Sequence, residues 1–235
     1  MIRPLPWRAL PSEPVKAALP KLRWQTEDGL PPSAGIAALM LYVALNFVAR
    51  EEATDGGGEG VAAAATYTEL GDITGLSRSL IADGLTRLAG LGLITASGSP
   101  QKRRYWITGP HTPWFKLPCQ AVLKAGAIAP FHTFTLRTKH ELHALKLYLY
   151  LATCRDNKTP FSMASYETIH ARTGVAERDI RRAISLLIGS GLLINIDREY
   201  SHLLKVNEAN KYYLSGSNAL HKPAAVAGVT APAAA

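Results

Sequence analysis

Cysteine is scarce in this sequence of 235 residues, and the two that occur, Cys119 and Cys154, lie far apart without a CxxC spacing. A disulfide framework needs more cysteines, and a zinc site built on cysteine needs closely spaced pairs. We therefore expect a reducing compartment, no bound metal and no cofactor.

Long apolar runs are also missing. The longest, residues 34–49, has 16 residues, which is short of the roughly 20 that span a bilayer. The first residues, MIRPLPWRALPSEP, contain no apolar segment of signal-peptide length. We expect a cytoplasmic protein that does not enter a membrane.

Catalytic motifs are absent as well. The stretch HELH at 140–143 lacks the HExxH spacing that places two zinc ligands on one helix face. The stretch DGGGEG at 55–60 has no GK[ST] ending, so we interpret it as a flexible linker and not as a phosphate-binding loop. Since no serine, cysteine or histidine has the context of a nucleophile either, the sequence predicts a protein that is not an enzyme.

Positive charge, in contrast, is abundant. The net charge is +8 and the pI is about 9.6, which favours nucleic acid or another polyanion as the partner. Residues 111–235 hold 15 Lys and Arg against 8 Asp and Glu, whereas residues 1–110 hold 11 against 10. The excess therefore belongs to the second half of the chain.

Four sequence blocks recur in the same order after about 100 positions, which indicates two tandem copies of roughly 105 residues. The blocks are W-x-x-L-P at 7–11 and 114–118, ALMLYVAL at 38–45 with ALKLYLYL at 144–151, TGLSRSLIADGLTRLAGLGLI at 74–94 with TGVAERDIRRAISLLIGSGLL at 173–193, and RYWITG at 104–109 with KYYLSG at 211–216. We define residues 1–109 as the first repeat and residues 110–216 as the second repeat. Within the first repeat, residues 51–60 are a predicted flexible insertion, and the Ala/Pro-rich tail at 217–235 is predicted to be disordered.

Each repeat has the same pattern of predicted elements. A long apolar helix precedes a short helix that ends in Thr-Gly, which suits the tight turn of a helix-turn-helix. A third helix with an apolar stripe follows, and then a glycine, a strand, a polar hairpin and a returning strand. The predicted stripes are Leu80, Ile81, Leu85 and Leu88 in the first repeat and Ile180, Ile184 and Leu187 in the second. This order predicts an α+β fold.

On the pattern TGLSRSxIxxxLxxLxxLGLI, both repeats resemble bacterial winged-helix DNA-binding domains, over residues 37–109 and 142–216. Two such domains in tandem are similar in layout to plasmid and phage replication initiators. The resemblance implies two winged-helix domains, one in each repeat, that bind DNA. It does not account for the W-x-x-L-P segments.

The third helix of each repeat contains the candidate base contacts, because the N-terminal half of the second helix of a helix-turn-helix enters the major groove. Arginine can pair bidentately with guanine, and serine or threonine can bond several bases. Alternatively, the arginines form a solvated face and pair with Glu177 and Asp179. The outward candidates are Ser77, Arg78, Ser79 and Thr86 in the first repeat and Arg178, Arg181, Arg182 and Ser185 in the second.

The hairpin of the first repeat carries three adjacent cations, Lys102, Arg103 and Arg104. A basic wing of this kind contacts phosphates or the flanking minor groove, although a solvated charged loop would have the same composition. The corresponding segment of the second repeat, residues 195–211, mixes both signs of charge and favours a protein partner.

The sequence therefore predicts sequence-specific binding of double-stranded DNA, by a transcription regulator or a mobile-element replication initiator. In the alternative, one or both winged helices bind a protein partner. We expect the second repeat to be the main DNA-contacting unit, because Arg178, Arg181 and Arg182 align with Ser79, Ala82 and Asp83. The more apolar first helix of the first repeat predicts a homodimer formed through that repeat.

Overall fold

The computed structural model describes residues 5–53, 59–98, 103–109, 112–156, 158–197, 200–201, 206–207 and 209–220. The α-helices of these residues are α1 (Ser12–Ala18), α2 (Ser33–Val48), α3 (Tyr67–Thr74), α4 (Arg78–Gly90), α5 (Lys139–Cys154), α6 (Tyr166–Thr173) and α7 (Glu177–Ser190). Short 3-10 helices span Leu19–Lys21, Ala129–Thr133 and Ser217–Ala219.

The strands of the same residues complete an α+β architecture. They are β1 (Trp7–Pro11), β2 (Arg50–Ala53), β3 (Glu59–Ala64), β4 (Ile94–Ser97), β5 (Arg104–Ile107), β6 (Trp114–Pro118), β7 (Leu123–Lys124), β8 (Ala127–Ile128), β9 (Ser162–Ala164), β10 (Leu193–Asp197), β11 (Tyr200–Ser201), β12 (Val206–Asn207) and β13 (Asn210–Leu214).

Each repeat contains an antiparallel sheet that includes the strands following α4 or α7. In the first, the order is β2-β3-β5-β4, and in the second it is β10-β13-β9. The predicted hairpins are β4 with β5 and β10 with β13. Strands β3 and β9 were not predicted, because alanine-rich β3 and three-residue β9 have little intrinsic strand preference and form by pairing with β5 and β13.

The helices α2 and α5 lie at the centre of the molecule. Fourteen of the 16 residues of α2 are buried, as expected for a helix that is apolar around its whole circumference. Helix α2 packs against both α4 and α5, and α5 packs against α7. One continuous hydrophobic core therefore contains residues of both repeats.

Burial of α2 within the chain bears on the predicted homodimer. Its apolar surface is covered by α4, α5 and other elements of the same chain. A homodimer through the first repeat stays a prediction, and it would have to use a surface other than α2.

The W-x-x-L-P segments form the strands β1 and β6, which pair with each other as an antiparallel ribbon. The amide of Ser12 donates to the carbonyl of Pro113 (2.9 Å), and the guanidinium of Arg8 donates to the carbonyl of Phe47 at the end of α2 (3.1 and 3.2 Å). These segments therefore join the two repeats. The predicted boundary near residue 110 stays a prediction.

Two predictions about irregular segments require correction. Residues 51–53 and 59–60 of the predicted flexible insertion belong to the paired strands β2 and β3, because backbone pairing with the sheet overrides their polar composition. The predicted disordered tail begins with the 3-10 helix Ser217–Ala219, in which Ser217 is buried and its Oγ donates to the carbonyl of Pro160 (2.5 Å). Leu220, directly after this helix, is buried as well. Residues 54–58 and 221–235 lie outside the described residues.

Candidate nucleic-acid interface

The turn between α6 and α7 is held by local hydrogen bonds. Ser165 caps α6 by accepting from the amide of Thr168, and Gly174 ends that helix with a positive φ of 69°. The buried Thr173 hydroxyl donates to the carbonyl of Ile169 (2.6 Å) and accepts from the amide of Val175 (3.2 Å). These bonds fix where α7 begins relative to α6.

The first repeat has the same turn. Thr66 and Glu69 form a capping box at the start of α3, and Gly75 ends the helix with a φ of 77°. The hydroxyl of Thr74 bonds the carbonyl of Leu70 (2.6 Å) and the amide of Leu76 (3.3 Å), as Thr173 does in the second repeat. The predicted Thr-Gly turns are therefore present in both repeats.

Helix α7 has one buried face and one basic exposed face. The inner stripe predicted for this helix is buried, together with Ala183. The exposed side chains at spacings of three and four residues lie on one face, and their positions are Arg178, Arg181, Arg182 and Ser185. The structure thus brings the four predicted residues of the second repeat together, and their contact with DNA stays a prediction.

One alternative was that these arginines pair with acidic residues on their own helix, but Asp179 pairs with a residue of another helix. Its carboxylate is buried and bonds the ammonium group of Lys139 on α5 at 2.9 Å. Within the described part of the chain, no ion pair includes Arg178, Arg181 or Arg182. Their charges are therefore available to a polyanion.

Two histidines of α5 lie beside the first turn of α7. Nδ1 of His143 is 3.7 Å from the carboxylate of Asp179, and the ring of His140 is perpendicular to that of His143. Burial lowers the pKa of His143 to about 4, against the opposing effect of Asp179. Burial and the nearby Arg182 also lower the pKa of His140. Across the described residues, no group of three or more His, Cys, Asp or Glu is arranged to hold a metal ion.

Helix α4 presents a different surface. Ser77 caps the helix by accepting from the amide of Leu80, and Arg78, Ser79 and Thr86 are exposed. The hydroxyl of Thr86 donates to the carbonyl of Ala82 (2.9 Å). The predicted base-contacting residues of the first repeat therefore lie on α4 or at its N-cap, and Arg78 is the cation among them.

A second arginine of α4, Arg87, is already paired. Its guanidinium bonds the carboxylate of Glu27 and lies 3.7 Å from that of Asp28. Sequence reasoning did not find this pair, because 60 residues separate Arg87 from Glu27 and no local pattern connects them. The pair reduces the positive charge at the C-terminal part of α4.

The predicted wing of the first repeat lies at the start of β5. Arg103 and Arg104 are exposed, and the guanidinium of Arg104 is 3.2 Å from the carboxylate of Glu52 on β2. Lys102 lies outside the described residues. The corresponding part of the second repeat contains the β11–β12 ribbon.

The thiol of Cys119 is buried after β6, and burial raises its pKa to about 12. A nucleophilic cysteine needs the opposite shift. The structure thus offers no support for a thiolate at this position.

Comparison with known proteins gives one match. Residues 142–193, which contain most of α5 and all of α6 and α7, match the helix-turn-helix domain family. The chain therefore contains a helix-turn-helix domain in its second repeat, and such domains bind DNA. No curated protein and no solved structure matches the chain. No helix among the described residues has the length and apolar character needed to cross a membrane.

Proposed function

We propose that the chain binds double-stranded DNA sequence-specifically through two tandem winged-helix units, as a transcription regulator or as the replication initiator of a mobile element. The observation that carries the proposal is the exposed arginine stripe of α7. This stripe lies on the second helix of the matched helix-turn-helix, whose opposite face is buried. In this geometry the helix can enter the major groove with its arginines toward the bases.

The two repeats contribute unequally in this proposal. Helix α7 supplies arginines for base contacts, whereas Arg103 and Arg104 of the first repeat, with Lys102, supply cations suited to phosphates. Phosphate contacts position a protein on the duplex and carry little sequence information. The function is binding, without a catalytic step.

The proposal is tested by measuring duplex affinity at several salt concentrations, on a site selected from random duplexes. We expect Arg181→Ala to cost about 1–3 kcal/mol on the selected site and to relax specificity at one position. The matched control is Lys124→Ala, which removes an exposed cation on β7, outside the helix-turn-helix. If both variants lose the same amount of affinity, the interaction is nonspecific charge attraction, and base recognition by α7 is contradicted.

The second candidate function is protein binding by the first repeat. It is favoured by the low positive charge of this repeat. Glu27 and Asp28 neutralise Arg87, and the position equivalent to Arg182 of the second repeat is occupied by Asp83. Under this alternative, Arg78→Ala and Arg103→Ala leave both DNA affinity and its salt dependence unchanged. If the first repeat contacts phosphates, Arg103→Ala instead lowers the slope of log affinity against log salt by about one.

A further inference from the structure

The chain between α1 and α2 crosses from the first repeat onto the helix-turn-helix of the second. The 3-10 helix Leu19–Lys21 packs against α6. A Cβ at Gly174, the residue that ends α6, would lie 3.6 Å from the carbonyl oxygen of Pro20 and 3.8 Å from its Cα. We call residues 19–23 the bridging segment, because they belong to one repeat and lie on the other.

Packing of the bridging segment leaves its two cations exposed. Leu19 and Leu22 are buried, and the carbonyl of Leu22 accepts a hydrogen bond from the buried ammonium group of Lys146 on α5 (2.9 Å). Lys21 and Arg23, on either side of Leu22, are exposed. Among the residues that the structure describes, neither takes part in an ion pair. The leucines therefore anchor the segment, and the two cations face solvent.

The place of this segment on the second repeat is significant because of how a helix-turn-helix docks on DNA. Its second helix enters the major groove, and its first helix crosses the phosphate backbone. The bridging segment lies at the C-terminal end of that first helix, α6. Arg178 on α7 follows Gly174 by four residues, so their Cα atoms are at most about 15 Å apart. This separation is comparable with the ~12 Å width of the major groove, whose edges are the two phosphate backbones.

The corresponding segment of the second repeat has no cations. At the offset of 107 that relates the W-x-x-L-P blocks, residues 19–23 (LPKLR) correspond to residues 126–130 (GAIAP). This part of the chain lies on the first repeat's turn, since a Cβ at Gly75 would be 2.9 Å from Nδ1 of His132. Residues 126–134 contain no Lys, Arg, Asp or Glu. The exchanged segment therefore brings cations only to the turn that precedes the arginine stripe of α7.

We infer that Lys21 and Arg23 of the first repeat contact the DNA phosphates that flank α7, and so complete the DNA-binding surface of the second repeat. This inference rests on the proposed function. Both are positioning residues, because phosphate contacts fix the register of a protein on the duplex and carry no sequence information directly. Each phosphate contact releases condensed counterions and adds about 0.9 to the slope of log affinity against log salt.

Salt titrations of the full chain on the selected duplex and on a scrambled duplex test the inference. We expect Lys21→Ala and Arg23→Ala each to lower the slope by about one on both duplexes, without changing the ratio of the two affinities. Unchanged slopes in both variants would overturn the inference, and the proposed function would stand as long as Arg181→Ala loses specificity. No affinity of the wild type for any duplex would overturn the proposed function itself.

The matched control is Lys158→Ala, which removes an exposed cation of the second repeat. Lys139 at the start of α5 bonds Asp179 in the first turn of α7, whereas Lys158 follows the opposite end of α5. We expect the control to keep the wild-type slope. An equal loss of slope in the control would make the effect one of net charge and would overturn the assignment to the bridging segment.

Conservative exchange separates charge from packing. Lys21→Arg and Arg23→Lys keep the positive charge, so we expect both to keep the wild-type slope, with denaturation midpoints unchanged in the alanine variants as well. If the conservative variants lose as much slope as the alanine variants, the two side chains act through packing, and the inference is wrong.

Tethered cleavage locates the contact on the duplex. An iron chelate is attached to Lys21→Cys in a Cys154→Ser background, since the other cysteine, Cys119, is buried. We expect backbone cleavage within about 5 bp, half a helical turn, of the base pair at which Arg181→Ala relaxes specificity. Cleavage confined to more distant positions would show that the bridging segment does not border the groove occupied by α7.

Discussion

The arginines of the two repeats differ in what surrounds their guanidinium groups. Arg87 is held by Glu27 and Asp28, and Arg104 lies beside Glu52. The arginines of α7 have no ion-pair partner within the described residues. Because acidic partners lie far away in sequence, the availability of an arginine depends on the fold and not on the local motif.

Acid sensitivity is the prediction that belongs to the residue scale. The lowered pKa of His143, about 4 against an ordinary value of 6.5, means that the unfolded chain binds a proton that the folded chain does not. Stability must therefore fall as the pH is lowered from 6.5 to 4. The groups that face His143 are Asp179, Lys139, Lys146 and His140.

Urea unfolding at pH 7, 5.5 and 4 measures this effect. In His143→Gln we expect the unfolding free energy to fall much less between pH 7 and pH 4 than in the wild type. His140 should account for part of the remaining decrease, because its pKa is lowered as well. An identical pH dependence in wild type and His143→Gln would contradict the assignment.

At the scale of elements, local chemistry predicted the helices better than the strands. The short helix expected before the first Thr-Gly occurs as Tyr67–Thr74, and both Thr-Gly turns are present. Periodicity and capping are properties of neighbouring residues, so they are visible in the sequence. Strands β1, β3, β6 and β9 depend on partners elsewhere in the chain, and local propensity did not identify them.

The same distinction applies to the candidate site. The outward and inward faces of α7 follow from a 3.6-residue period, and all four predicted outward residues are exposed. The neutralisation of Arg87 and the burial of Asp179 could not be inferred, because each depends on a contact made by packing. Lys139, the partner of Asp179, is 40 residues away.

Gly84 is a position where one helix approaches another closely. A Cβ there would lie 2.7 Å from Leu41 Cδ1 and 3.0 Å from the backbone carbon of Ala37 on α2. We expect Gly84→Ala to destabilise the protein by roughly 1–3 kcal/mol, because the overpacking exceeds the gain in helix propensity.

Gly90 is the matched control in the same helix. Its Cβ would meet no atom within 4 Å. Because Gly90 is the last residue of α4, Gly90→Ala should stabilise the protein by at most about 0.5–1 kcal/mol, the value for a helix interior. Chemical denaturation measures both values. Stabilisation by both substitutions would mean that α4 does not lie against α2 at Gly84.

At the scale of the whole molecule, the two repeats form one folded body. The core is continuous across α2 and α5, and the ribbon of β1 and β6 joins segments 107 residues apart. The segments after each ribbon strand pack on the opposite repeat. Neither repeat can therefore unfold without exposing apolar surface of the other, which favours a single cooperative transition.

A core substitution in the second repeat, followed by a probe in the first, tests this coupling. Leu187 on α7 is fully buried, and three of the four tryptophans, Trp7, Trp24 and Trp106, lie in the first repeat. We expect Leu187→Ala to cost about 2–5 kcal/mol. The denaturation midpoint should shift equally by tryptophan fluorescence and by circular dichroism. Ile188→Ala, at an exposed position of the same helix, should shift neither midpoint much. If fluorescence keeps the wild-type midpoint while circular dichroism shows an earlier transition, the repeats unfold separately, and the contacts across β1, β6, α2 and α5 do not couple them.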